Sequence, residues 1–204
     1  MRIDHLIVAT ADLNAAVDDL EVRFGVRAER GGKHLGLGTH NALVGLGDAT
    51  YLEIIAPDPD QPAPSMPRPF GLDTVHRPRL AGWALACDDI NAAIERARRH
   101  GYDPGDAIDM QRMSPAGTLL RWRLTLNALN GGPVPLLIDW GHSAHPSRSA
   151  PQGLRLDSFA IEHPDPDQLL STLAALDADI PITPADTVAL VAQLEGPNGP
   201  KELR

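Results

Sequence analysis

The sequence has little of what several classes of protein require. Its 204 residues include one cysteine, 18 Lys and Arg against 27 Asp and Glu, and only 4% aromatic residues. The single cysteine, Cys87, cannot form an internal disulfide, which is typical of a protein from a reducing compartment. The net charge of −9 argues against nucleic-acid binding, because that function usually needs a basic surface. We therefore expect no nucleic-acid partner.

The chain also lacks a long apolar run. No segment approaches the roughly 18 apolar residues that a membrane helix needs. The first residues, MRIDHLIVAT, do not have the layout of a signal peptide. We therefore expect no membrane association and a cytoplasmic location. The 43% of hydrophobic residues is sufficient for a sizeable core in one domain or two small ones.

Three segments repeat one pattern. Residues 2–13, 79–90 and 155–166 each combine a short apolar strand, an acidic residue and the start of an amphipathic helix. The acidic residue lies where a helix N-cap accepts hydrogen bonds from free backbone N–H groups. These acidic residues are Asp12, Asp89 and Asp165. The pattern predicts three strand–helix units in one chain.

Paired apolar strands follow each predicted helix. In the second unit, for example, LLRWRLTLNA (119–128) and VPLLIDWG (134–141) flank an Asn-Gly-Gly turn, which is a strong hairpin signal. The repeated unit is therefore β-α-β-β, with a further strand expected before each hairpin.

The loop-like stretches of the chain divide it into units. We expect two units at residues 1–57 and 79–142, joined by a Pro-rich loop at 58–78, and a third, truncated unit at 153–204 packed on them. The short last strand of the third unit would leave a free sheet edge. Since such an edge invites pairing with another chain, we expect a homodimer.

Four motifs carry a resemblance to a known family. They are IDHLIVAT (3–10), GGKHLGLGTHNALVGLG (31–47), YLEIIAPD (51–58) and PLLIDWG (135–141). On these motifs the chain resembles the glyoxalase-like domain proteins of the vicinal oxygen chelate superfamily, which also includes bleomycin-resistance proteins and dioxygenases. The resemblance implies an α+β fold in which βαβββ units form a curved half-barrel sheet flanked by helices. It also implies a small-molecule ligand and one divalent metal, Zn, Mn, Ni or Fe, in the cavity.

The resemblance assigns metal-ligand positions to His5 on the first strand and Glu53 on the last strand of the first unit. In the second unit the position of His5 is occupied by Gly82, and that of Glu53 by Ile138 or Asp139. Only the first unit therefore has the full pair. His and Glu suit a borderline-to-hard metal, and Glu53 would also suit a role as a proton-moving base.

Further candidates lie near these two residues. We expect His40 to assist Glu53 in catalysis and five residues to contact substrate: His34, Thr39, Asn41, Asp139 and Trp140. Several have structural alternatives. The Gly-rich segment around Thr39 and Asn41 would equally bind substrate or only form a turn. His34 would belong either to a lid or to an exposed loop. Trp140 would form either a cavity wall or a contact in the core.

These observations predict a glyoxalase-like lyase or isomerase that acts on a small oxygenated or carbonyl substrate. The alternative is a metal-free protein that sequesters small molecules, which the missing second-unit histidine favours. No nucleotide cofactor is expected, because the sequence has neither a phosphate-binding loop ending in Gly-Lys-Ser/Thr nor a dinucleotide fingerprint. The prolines at 57–69 suggest a lid over the cavity, with Phe70 and His76 as contacts.

Overall fold

Strands and helices alternate in the order that the repeats predict. A computed structural model describes residues 1–125, 127 and 129–204. The first unit comprises β1 (Arg2–Ala9), α1 (Leu13–Phe24), β2 (Glu29–His34), β3 (Thr39–Gly45) and β4 (Tyr51–Pro57). The second comprises β5 (Arg79–Ala86), α2 (Ile90–Arg99), β6 (Ala107–Met113), β7 (Leu119–Thr125) and β8 (Leu136–Asp139). The third comprises β9 (Arg155–His163), α3 (Pro166–Ala175), β10 (Ile182–Pro184), β11 (Ala189–Gly196) and β12 (Gly199–Leu203).

The βαβββ order is confirmed in the first two units, with β2 and β6 as the additional strands. The expectation that the third unit is truncated is wrong, because it has the same five elements, with β10 as the additional strand. The strand predicted at 119–128 spans Leu119–Thr125, and its predicted residues 126 and 128 lie outside the described residues. The predicted caps are also confirmed. Asp12, Asp89 and Asp165 each accept a hydrogen bond from the first turn of their helix.

The first two units build one curved sheet of eight strands in the order β2-β3-β4-β1-β5-β8-β7-β6. β1 and β5 pair antiparallel at the centre, and each pairs in parallel with the last strand of its own unit. The outermost strands meet where Arg112 Nη1 on β6 donates a hydrogen bond to the carbonyl of Gly31 on β2. The sheet is therefore nearly closed, as the half-barrel prediction requires.

Strand alternation divides the buried residues into two layers. Side chains such as Leu6, Leu52 and Trp83 pack with the helices in one cluster, whereas Ile7 and Ile138 belong to a second cluster on the concave face. Successive side chains of a strand point to opposite faces, so a single strand serves both layers. The concave face is thus free to form a cavity while the helices cover the convex face.

The third unit forms its own sheet, in the order β10-β9-β11-β12, with β10 and β12 at its edges. It contacts the larger sheet through Phe159, whose ring centroid lies 5.1 Å from that of Trp83, and through the Arg204 carbonyl, which accepts from the Leu80 N–H at 2.7 Å. The division into domains and the homodimer stay predictions. No helix among the described residues is long and apolar enough to cross a membrane.

The turn before β8 depends on a close approach of two backbone segments. Gly131 has φ 79°, and a Cβ atom there would lie 2.3 Å from the Ala81 carbonyl oxygen. Gly117 has φ 78°, but a Cβ atom there would meet no atom within 4 Å. The two glycines therefore share the same backbone conformation and differ in the space around them.

We expect Gly117→Ala to lower the free energy of unfolding by about 1–2 kcal/mol, the cost of a left-handed alanine. Gly131→Ala should cost about 2–5 kcal/mol, because the clash with β5 is added to that conformational cost. Urea unfolding of both variants measures the difference. Equal losses would show that the approach of Gly131 to Ala81 does not constrain the fold.

Candidate functional site

The concave face of the large sheet encloses a cavity of about 60 Å³. Polar side chains from β1 to β4 and Arg112 from β6 line one part of it. Apolar side chains line the remainder, among them Ile7, Ile55, Phe70, Trp122, Leu136, Ile138 and Trp140. A space of this size accepts a few waters or a small organic group, so the cavity suits a small ligand with one polar end.

Asp4 and His5 form a buried pair at the polar part of this cavity. Adjacent residues of a regular strand point to opposite faces, but the pairing of β1 with β5 shifts register between Ile3 and His5. Such a bulge redirects a side chain. Asp4 Oδ1 consequently lies 2.8 Å from His5 Nδ1. Since an ionised carboxylate only accepts hydrogen bonds, Nδ1 carries the proton and Nε2 faces the cavity.

Asp4 also joins this pair to the end of the second unit. Its Oδ2 lies 2.9 Å from His145 Nε2, and Trp140 Nε1 donates to both carboxylate oxygens at 3.3 Å. Burial alone would raise the pKa of Asp4, but hydrogen bonds from His145 and His5 outweigh it and hold the pKa well below its ordinary 3.8. Asp4 is therefore a fully buried carboxylate that stays ionised.

Glu53 lies beside His5 on the neighbouring strand, β4. Its Oε2 lies 3.7 Å from His5 Nε2, and its Oε1 accepts a 2.6 Å hydrogen bond from Asn41 Nδ2. Tyr51, two residues earlier on the same face of β4, stacks on the His5 ring with centroids 4.7 Å apart. Burial, with the nearby charges of Asp4 and Glu53, raises the pKa of Tyr51 well above 10.0. Its phenol is therefore neutral.

His34 completes the polar wall as a neutral ring. Its Nδ1 lies 3.0 Å from Thr39 Oγ1, and its Nε2 lies 3.4 Å from Asn41 Nδ2 and 3.9 Å from Glu53 Oε1. Burial lowers the pKa of His34 from 6.5. The prediction of a lid or exposed-loop histidine is wrong: His34 ends β2 and is 6% exposed, because the strand continues further toward the Gly-rich turn than expected.

Arg112 brings a positive charge into the same cavity from the second unit. It is 5% exposed and lines the cavity with His5, His34 and Glu53. Burial lowers the pKa of Arg112 from 12.5, and the negative charge of Glu53 partly offsets that effect. The guanidinium nevertheless remains charged at any physiological pH.

Of the residues predicted from the sequence, the structure brings six to this cavity or its wall: His5, His34, Thr39, Asn41, Glu53 and Trp140. Trp140 is both a wall and a hydrogen-bond donor. Phe70 lines the cavity as expected, whereas His76 is exposed and does not line it.

Two predicted residues lie elsewhere. His40 points to the opposite face of β3 from Asn41, where its Nδ1 lies 3.3 Å from Arg30 Nη1 and 3.8 Å from Asp58 Oδ1. Partial burial lowers the pKa of His40 from 6.5. Asp139 accepts from the backbone N–H groups of Ile90 and Gly141. Strand alternation places Ile138, not Asp139, toward the cavity.

Five residues of the site were missed by reasoning from the sequence: Asp4, Tyr51, Arg112, Trp122 and His145. Tyr51 and Trp122 have a detectable signal, since Tyr51 is two residues from Glu53 and Trp122 alternates with arginines on its strand. Asp4 has none, because alternation places it opposite His5 and only the bulge reverses this. His145 lies in a loop without periodicity.

The donor set does not fit a divalent metal. Protein metal sites of this kind use three or four ligands, and no group of three or more His, Cys, Asp or Glu side chains among the described residues could hold an ion. The corresponding strands of the second unit, β5 and β8, line the cavity with Ala84, Leu136 and Ile138, which have no ligand atom. The unpaired buried acceptor, Asn41 Oδ1, faces Gly31, where a Cβ atom would lie 2.3 Å from it. The nearby His34 ring is engaged by Thr39 and Asn41, so His5 and Glu53 alone make an incomplete shell.

The chain is similar to known proteins in sequence pattern and in fold. A family model described as a glyoxalase-like domain matches residues 3–176, and no curated protein matches. A hypothetical protein from Staphylococcus aureus is 16% identical with a TM-score of 0.62, over 96% of this chain and 82% of that one. That similarity supports the fold.

Two further structures are methylmalonyl-CoA epimerases. The enzyme from Mycobacterium tuberculosis is 22% identical with a TM-score of 0.45, over 67% of this chain and 86% of that one. A Streptomyces coelicolor variant in complex with 2-nitronate-propionyl-CoA is 20% identical with a TM-score of 0.46, over 70% and 99%. These scores are too low to transfer any property to this chain.

We expect protein that is incubated with Zn²⁺ or Mn²⁺ and then desalted to retain far less than one equivalent of metal, because two side-chain ligands hold an ion weakly. Elemental analysis of the wild type beside His5→Ala measures this. One equivalent in the wild type that is lost in His5→Ala would instead establish the metal site that the resemblance implies.

Asp4→Asn should lower the free energy of unfolding at pH 7 by about 3–5 kcal/mol, because it leaves the buried His5 and the half-buried His145 without their carboxylate. The pKa of Asp4 is lower in the folded than in the unfolded chain, so its contribution is complete above the unfolded value of 3.8 and is lost as the pH falls through the folded value. Urea unfolding between pH 7 and pH 3 should show the difference between wild type and variant shrinking below about pH 4.

Asp109→Asn is the matched control, since the Asp109 side chain is 93% exposed. It should change the free energy of unfolding by less than about 0.5 kcal/mol. A gap between wild type and Asp4→Asn that stays constant down to pH 3 would contradict an ionised Asp4.

Proposed function

The chain belongs to the glyoxalase-like domain family of the vicinal oxygen chelate superfamily, and we propose that it is an isomerase or lyase that moves a proton on a small oxygenated or carbonyl substrate. One observation carries the proposal. His5, oriented by a buried carboxylate, and Glu53 lie side by side, with 3.7 Å between Nε2 and Oε2, in a largely apolar cavity. Such a pair places a base and an acid side by side, where both reach neighbouring atoms on the same side of one small molecule.

Glu53 is the base. Its Oε1 is engaged by Asn41, which leaves Oε2 to accept a proton from a carbon next to a carbonyl or hydroxyl group. Apolar side chains such as Ile55 and Ile138 line the wall near this oxygen and limit the number of waters that compete for it.

His5 is the acid. Its Nδ1–H donates to Asp4, and the form that reacts is the one whose ring also has a proton on Nε2. Nε2–H then donates to the substrate oxygen on which negative charge develops when Glu53 takes the carbon proton. Glu53 then returns the proton to the former carbonyl carbon, while His5 Nε2 takes the proton from the other hydroxyl oxygen. The carbonyl and hydroxyl carbons thereby exchange places, which interconverts hydroxycarbonyl isomers. Loss of a leaving group from the same intermediate gives a lyase reaction instead.

The surrounding residues hold this pair in position. The Asn41 amide bridges Glu53 and His34, the Thr39 hydroxyl contacts His34, and Trp140 binds Asp4. The cavity of about 60 Å³ favours a substrate of few atoms. No step requires a metal, and the proposal gives no part to His40 or Asp139, because neither reaches the cavity.

Exchange of substrate protons with solvent tests the proposal without knowledge of the product. Small hydroxycarbonyl and oxo compounds are incubated with the enzyme in D₂O, and loss of the proton on the carbon next to the carbonyl is followed by NMR. Glu53→Gln should lower the exchange rate about 10²–10⁴-fold, the range for loss of a general base. Glu29→Gln, at an exposed position on β2, should leave it unchanged.

Two results would contradict the proposal. Exchange that persists in Glu53→Gln would remove Glu53 from the chemistry. Compounds that bind and raise the melting temperature by mass action, without any exchange, would favour the alternative of a sequestering protein, which the largely apolar wall of the cavity also fits.

A further inference from the structure

Arg112 is a buried cation with few partners. Among the residues that the structure describes, its one hydrogen bond goes from Nη1 to the Gly31 carbonyl, and no carboxylate lies within the 4.0 Å that defines an ion pair. The residue is nevertheless only 5% exposed. Burying a charge without a counter-ion is costly, and the proposed chemistry of His5 and Glu53 does not use it.

We propose that Arg112 binds the carboxylate group of the substrate, so that the substrate is a small carboxylic acid with a hydroxyl or carbonyl next to an acidic C–H bond. This inference rests on the proposed function and deepens it. A guanidinium offers N–H donors in a planar fork that matches the two oxygens of a carboxylate. A bound carboxylate supplies a counter-ion in direct contact, whereas the charge of Glu53 acts on Arg112 from a longer distance.

The position of Arg112 also orients such a substrate. Arg112 enters the cavity from β6 in the second unit, whereas Glu53 enters from β4 in the first. The negative charge of Glu53 repels a carboxylate and the positive charge of Arg112 attracts it. The acid group therefore lies toward Arg112, which directs the remaining carbon and oxygen atoms toward Glu53 and His5.

Arg112 has a second role that the test must separate from the first. Its hydrogen bond to Gly31 joins the two outermost strands, and these approach closely at Gly32, where a Cβ atom would lie 2.6 Å from the Met113 carbonyl oxygen. Loss of this hydrogen bond between β6 and β2 would alter the cavity for every ligand alike. Loss of an anion-binding group would weaken only the binding of charged ligands.

The experiment compares propionate with its neutral isostere propionamide, using titration calorimetry on the wild type, Arg112→Gln and the control Arg121→Gln. Arg121 is an exposed arginine on the adjacent strand. The wild type should bind propionate at least about 10-fold more tightly than propionamide, since hydrogen bonds to charged groups contribute about 10- to 100-fold. Arg112→Gln should abolish this preference by weakening propionate alone, and Arg121→Gln should retain it.

Equal binding of the two probes by the wild type would overturn the inference. An equal loss of affinity for both probes in Arg112→Gln would also overturn it, because Arg112 would then only join β6 to β2. If Arg112→Gln does not fold, Arg112→Lys serves instead. It keeps the cation and should retain a smaller preference for propionate, and loss of preference with intact folding overturns the inference.

The outcome is independent of the proposed reaction. Preference for propionate without proton exchange on any carboxylic acid would leave the Arg112 site in place and remove the enzyme mechanism. Glu53-dependent exchange on neutral hydroxycarbonyl compounds, without preference for propionate, would do the reverse.

Discussion

Asp4 accepts hydrogen bonds from three side chains that come from different parts of the chain: His5 beside it, Trp140 after β8 and His145 in the following loop. Because the carboxylate is fully buried, each of these contacts is made without competition from water, and each fixes an aromatic ring around the cavity. The bulge in β1 is the local cause, since a regular strand would turn Asp4 toward the helices. One irregularity in backbone pairing thus sets the tautomer of His5 and the position of Trp140 together.

The two halves of the large sheet share one topology but supply different chemistry. The first unit contributes the titratable groups His5, His34 and Glu53, whereas the equivalent strands of the second present carbon atoms at Ala84 and Ile138. Among the described residues that line the cavity, Arg112 is the one charged side chain from the second unit. It lies on β6, whereas the strands that correspond to those of His5 and Glu53 are β5 and β8. The pseudo-symmetric fold therefore encloses a polar cavity wall on one side and an apolar wall on the other, which gives a bound molecule a defined direction.

Most of the fold is predictable from the sequence, because it depends on local patterns. Apolar alternation, amphipathic spacing and the capping aspartates such as Asp12 recur three times, and each has a direct physical cause. The site is less predictable. His5 and Glu53 follow from strand position, but Asp139 and Ile138 differ by one residue in register, and a shift of one reverses the face of a strand. Asp4 depends on a bulge, and His145 on the path of a loop, neither of which leaves a periodic signal.

The charges in the cavity link recognition to chemistry. Without substrate, the positive charge of Arg112 stabilises the negative charge of Glu53, as their mutual electrostatic effect indicates. A carboxylate bound to Arg112 cancels that support and places a second negative charge in the same cavity. The guanidinium then balances two negative charges, and the repulsion between them keeps the carboxylate of the ligand away from Glu53. The same ion pair that selects the ligand thus determines which of its atoms reach Glu53.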